Sequence, residues 1–203
     1  AVVTAPRLRP TAVASSPATV STLVGNKVLF FGLIIAQLGL VVYLSARVAK
    51  LAPATAGTLF LAYSALTGVT FSLILLAYTG ASVANAFFIT AGMFGALAVY
   101  GSVTKRDLTG MGRFMFMGLV GLVIASVVGI FWQNDAMQFV MGVVGVLVFS
   151  GLIAYDTQRL RAMALEVSGE QVGSYAIVGA LSLYLDFINL FISLLRLFGD
   201  RRN

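Results

Sequence analysis

Six stretches of this 203-residue chain are almost wholly apolar, at about 28–46, 54–78, 83–101, 112–132, 137–155 and 173–198. Each is close to the roughly 20 residues that a helix needs to cross the hydrocarbon core of a bilayer. Period-two alternation of polar and apolar positions is missing, which argues against a transmembrane barrel. Helices remain as the elements that satisfy their own backbone groups in lipid. The expected fold is therefore all-α, a polytopic transmembrane bundle over residues 27–203 with short connections. Residues 1–26 differ in kind, being rich in Ala, Thr, Ser and Pro, free of acidic residues and too broken to span. They are expected to form a polar or disordered lead-in, or a truncated segment. Their Arg-bearing, acid-free composition also has the character of an organellar transit segment.

Composition sharpens this picture. Hydrophobic residues make up 60% of the chain and charged residues only 10%, against about 25% charged in soluble domains. The absence of cysteine excludes disulfides and thiol chemistry. With no histidine, a response to pH near neutrality has to come from carboxylates. The formal charge of +6 sits mainly in loops and termini, which in a membrane protein marks the cytoplasmic side and not nucleic-acid binding. Arg47 and Lys50, Lys105 and Arg106, and Arg159 and Arg161 follow the first, third and fifth spans, and Arg113 opens the fourth on that same side. The loops "TGAS" and "QND" on the other side hold no Lys or Arg. The first set is expected in the cytoplasm, which puts both termini outside if there are six spans.

Small residues recur on single helical faces: Gly32, Ala36 and Gly39 in the first span, Gly57, Ser64, Gly68 and Ser72 in the second, and Gly118, Gly121, Ala125 and Gly129 in the fourth. Such faces let helices approach closely in lipid. Trp132 fits an interface anchor. "GVVG" and "GMFG" read as helix-packing patterns, not phosphate loops.

The last span, "LSLYLDFINLFISLLRLF", carries a sharper signal. Ser182, Asp186, Asn189, Ser193 and Arg196 recur at intervals of 4, 3, 4 and 3, which stacks them on one face. An ionisable group at membrane depth is costly and turns toward protein or water. The fifth span ends in "FSGLIAYDTQRL" and offers Asp156 as a partner, aligned with the face of Gly142 and Gly145. Depth counting keeps the two apart, because Asp186 lies 13 residues, about 20 Å, beyond a helix start at Gly173. They meet only if the last helix starts late or Asp156 lies inside a cytoplasmic vestibule. Two carboxyls in contact at low dielectric do not both ionise easily, so such a pair would share a proton and sense cytoplasmic pH. When ionised, it offers hard oxygen ligands for weakly held Ca²⁺. On the residues alone, a purely structural role for Asp186, bonded to Ser or Asn across helices, stands equally open.

"ALSLYLDFINLFISLLRLFG" (180–199), "GLIAYDTQRL" (151–160), "LAYSALTGVTFS" (61–72) and "AGMFGALAVYGSVTKRDLTGMG" (91–112) resemble the Bax inhibitor-1 family, most closely its bacterial branch. The resemblance covers about residues 26–200. It implies a seven-span bundle with the last helix central, in the bacterial inner membrane. It further implies a pH-sensitive Ca²⁺ leak gated by an aspartate pair, matched by Asp156 and Asp186 and held close together near the cytoplasmic side. Calcium would be the transported ion, no cofactor is implied, and the bilayer is the surrounding partner. The family's arginine latch has Arg47 or Lys50 as its candidates here. A related member is associated with restraining a membrane-bound AAA protease, so the alternative function is a non-conducting regulator of such a protease. The family's first span should precede residue 26, where the Pro- and Arg-containing segment does not read as one. Restoring it would put the N-terminus in the cytoplasm and leave the other loops unchanged. Enzymatic function is not expected. Intramembrane aspartyl proteases also place one aspartate after tyrosine, as in Tyr155–Asp156, but they need glycine beside the second, and Asp186 follows "LYL".

Overall fold

The computed structural model describes residues 27–47, 51–131, 134–166 and 171–200. The segment 1–26, Lys50, Trp132 and the terminal Arg201 and Arg202 lie outside the described residues. Among those described, the chain folds as six α-helices: α1 (Lys27–Arg47), α2 (Pro53–Leu76), α3 (Gly80–Val103), α4 (Thr109–Phe131), α5 (Asp135–Glu166) and α6 (Gln171–Phe198). Five of them, α2 to α6, contain windows long and apolar enough to cross a membrane. Helix α1 has 21 residues, about 32 Å at 1.5 Å per residue.

Each apolar stretch of the sequence forms one helix, with boundaries shifted by a few residues except in α5. That helix does not stop near residue 155 but runs on to Glu166. The extension "DTQRLRAMALE" has an amphipathic composition that leaves a bilayer without ending the helix.

The centre of the bundle is the antiparallel pair α5–α6, the most extensive helix contact in the molecule. Helix α6 also touches α3 and α2, and α5 also touches α3 and α4. Leu190 and Ile153 are fully buried between them, beside Val148, Phe149 and Leu194. Small residues set the close approach. A methyl group at Gly145 would collide with Ser193, one at Gly142 with Leu197, and one at Gly179 with Leu160. On the outer side of α5, Gly101 abuts the Ala154 carbonyl and Gly112 abuts the Tyr155 ring.

The expected small-residue faces divide in two. Gly118 packs on Val148, and Gly57 lies 3.9 Å from Ile177. Gly32, Gly39, Gly68, Gly121 and Gly129 face open space in the described chain. A stripe of glycines permits close packing but does not by itself choose a partner.

The loops gather at two opposite ends of the bundle. At one end, Gln158 and Arg161 of α5 bond the 102–108 turn. At the other, the Thr79 N–H donates to the Asp200 carbonyl (3.0 Å) and the Asp200 N–H to Ser82 Oγ (2.9 Å), which ties the tail of α6 to the α2–α3 turn.

Candidate functional site

The register of the α5–α6 hairpin builds the site. Opposed positions follow from the glycine contacts: 145 with 193, 160 with 179. Continuing that antiparallel register places 156 within a turn of 186. The carboxyl groups of Asp156 and Asp186 do lie in side-chain hydrogen-bond contact. The depth count fails because it assumes that the hairpin turns near residue 156. With α5 running ten residues past Asp156 and α6 opening at Gln171, both aspartates sit well inside the hairpin. The last helix does not start late, so the contact rests on the length of α5 beyond Asp156.

Asp186 is 6% exposed, on the inner face of α6. Two carboxylate oxygens hold no hydrogen to share, so the contact with half-buried Asp156 requires a proton on one of them. Oδ2 of Asp186 is buried and accepts no hydrogen bond from an N–H or O–H donor among the described residues, a costly state for an acceptor unless the proton shared with Asp156 or a ligand satisfies it.

The pair opens on a cavity of about 640 Å³ between α4, α5 and α6. Arg113, Tyr155, Arg159, Ser182 and Asn189 share its wall with the two aspartates. Arg159 stands three residues beyond Asp156, close to one turn on, and attracts its carboxylate. A second cavity of about 260 Å³ continues along α6, lined by Ser126, Gly145, Ser193 and Arg196 among others. Leu119, Phe149 and Asn189 line both and form the divide between them.

The structure thus brings the whole predicted stripe onto one lane. Ser182 and Asp186 face the first cavity, Asn189 faces both, and Ser193 and Arg196 face the second. Within that lane, Asn189 Nδ2 donates to the Leu185 carbonyl (2.7 Å) and Ser193 Oγ to the Asn189 carbonyl (2.7 Å), both on their own helix. The carboxyl contact of Asp186 is instead with Asp156, across the hairpin.

Of the two latch candidates, Arg47 is exposed at the end of α1 and does not line the cavity. Lys50 lies outside the described residues. The cations that do line it are Arg113 and Arg159. Both stand out in the sequence only as topology signals, yet the spacing of Asp156 and Arg159 on a helix already pairs them.

Two independent comparisons bear on what this chain is. The family model described as "Inhibitor of apoptosis-promoting Bax1" matches residues 4–203. The chain is 50% identical over 192 residues to the inner membrane protein YbhL of Escherichia coli, covering 93% of this chain and 82% of that one. It is 49% identical over 170 residues to an uncharacterized protein of Deinococcus radiodurans, covering 83% and 74% of the two chains. An uncharacterized membrane protein of Streptococcus pyogenes is 44% identical over 180 residues, covering 89% and 78%. With five long apolar helices and an inner-membrane relative at half identity, the chain is a multi-pass protein of the bacterial inner membrane. A match over nearly its whole length makes it a member of the Bax inhibitor-1 family.

Proposed function

We propose that this protein is a pH-sensitive calcium leak of the inner membrane, gated by the proton that Asp156 and Asp186 share. The observation that carries this reading is the contact of the two carboxyls at the wall of a cavity that continues past Asn189 toward the opposite end of α6. With the proton in place the pair carries a single negative charge, and it joins α5 to α6 by a hydrogen bond. Without the proton, two negative charges share one site. Their repulsion loosens the helix contact, and their oxygens become ligands for a hard divalent cation. Among the described residues no third acidic side chain joins them, so an ion would be held weakly, which suits passage better than storage. Arg159 competes with the cation for Asp156 and is the residue we assign to the latch. No catalytic step belongs to this reading.

The test is Ca²⁺ flux into proteoliposomes between about pH 5 and 8 for the wild type, Asp186→Asn and Asp156→Asn. An asparagine donates where the protonated aspartate donates but cannot lose a proton. Wild-type flux should change across this range, and both variants should become insensitive to pH. Flux that is absent, or that keeps its pH dependence in well-folded variants, rejects the gate. A non-conducting regulator of a membrane-bound protease would then be the better reading.

A further inference from the structure

A third cavity, of about 420 Å³, lies where the end of α3, the start of α4 and α5 meet. Its wall carries three cations, Lys105, Arg106 and Arg159, against one carboxylate, Asp107. Asp107 is already engaged, since its Oδ1 accepts from the Thr109 N–H (2.9 Å) and Arg113 attracts it. The Thr109 hydroxyl first, then the Thr109 N–H and Arg113, hold its carboxyl below the usual carboxylate range. Lys105 and Arg106 are both exposed. Among the described residues, their head groups have no hydrogen bond or ion pair.

The loop bearing these cations is held in place. Gln158 of α5 accepts from the Leu108 N–H (2.9 Å) and donates to the Arg106 carbonyl (2.8 Å). Arg161 donates to the Ser102 carbonyl one turn before the loop. The backbone that carries these cations is therefore fixed, and the ordering cost for a ligand falls on their side chains alone. It also lies just beyond two membrane-length helices, between the end of α3 at Val103 and the start of α4 at Thr109. On the cytoplasmic side, anionic headgroups attract basic side chains at about 1 kcal/mol per Lys or Arg.

We propose that this cavity binds a phosphoryl anion, either the phosphodiester headgroup of an anionic lipid or free phosphate, through Lys105, Arg106 and Arg159. The site does not depend on the leak reading, although Arg159 lines both cavities. A bound phosphoryl group would compete with Asp156 for that guanidinium.

Two arms separate the sources of the anion. In the first, native mass spectrometry of the full chain in mixed micelles compares retention of phosphatidylglycerol with phosphatidylcholine. In the second, inorganic phosphate is titrated at constant ionic strength without anionic lipid, and thermal stabilisation is read. The variants are Arg106→Gln, Lys105→Gln/Arg106→Gln, and Arg47→Gln, which removes an exposed cation outside the cavity. Preferential retention of phosphatidylglycerol, weakened roughly thirtyfold by the double substitution and unchanged by Arg47→Gln, supports the lipid. Stabilisation by phosphate alone, lost in the double variant, supports the free anion. The proposal is overturned if neither ligand binds, or if Arg47→Gln weakens binding as much as Arg106→Gln does.

Discussion

The close approach of α5 and α6 can be tested at Gly145. This residue is buried in α5 against Ser193. A methyl group there would collide with Ser193 Oγ and stand only 3.0 Å from Ser193 Cβ. Rotating the hydroxyl does not remove the second clash, so the helices must separate or Ser193 must shift with its backbone. Overpacking of this kind costs about 1–3 kcal/mol, offset in part by the roughly 1 kcal/mol by which alanine outdoes glycine inside a helix. A net loss of about 1–2 kcal/mol is expected for Gly145→Ala. Gly121→Ala is the control, because Gly121 has nothing within 4 Å and feels only the propensity gain. Ser193→Gly should restore Gly145→Ala, since it removes both colliding atoms. It also loses the hydroxyl bond to Asn189, and a double-mutant cycle subtracts that loss. Unfolding in dodecyl maltoside–SDS mixed micelles measures all five proteins: the wild type, the two single variants, their double variant and Gly121→Ala. The reasoning is refuted if Gly145→Ala is no less stable than Gly121→Ala, or if Ser193→Gly fails to rescue it.

Other consequences are as direct. Gln37 on α1 donates to the Leu66 carbonyl (3.1 Å) and to Thr70 Oγ1 on α2. Gln37→Leu should therefore cost about 0.6–1.7 kcal/mol in the same unfolding assay, and no loss would show that the two bonds do not tether the helices. Asp107 has its carboxyl held down first by Thr109 and then by Arg113. A lowered folded pKa contributes stability above the unfolded value of about 3.9, lost as pH falls through the folded one. The Asp107 carboxyl followed by carbon NMR should titrate below that reference, and Thr109→Val should move it upward. No movement would show that the Thr109 hydroxyl is not its main partner.

Much of the site is legible in the residues alone, and the polar stripe of the last span shows why. A helix has a fixed 3.6-residue period, so Ser182, Asp186, Asn189, Ser193 and Arg196 have to share a face. Lipid excludes such a face, so it has to turn inward. The two cavities lie along it. The glycine faces are less legible. Gly118 and Gly121 look alike in sequence, but only the first meets a neighbour. The family resemblance offers Arg47 and Lys50 for the latch, while the cations lining the cavity are Arg113 and Arg159. Position in a loop reports the side of the membrane, not the distance to a carboxylate.

By itself, then, the sequence determined the helical class and singled out the two aspartates. These follow from transfer energies and from a local repeat, and both are properties of single segments. Only the tertiary structure decided that Asp156 and Asp186 touch. That depends on where the α5–α6 hairpin turns, and hydropathy is blind to it, because a helix can leave the membrane without ending. It depends equally on Gly142, Gly145 and Gly179 letting two backbones close to a distance that no single segment encodes.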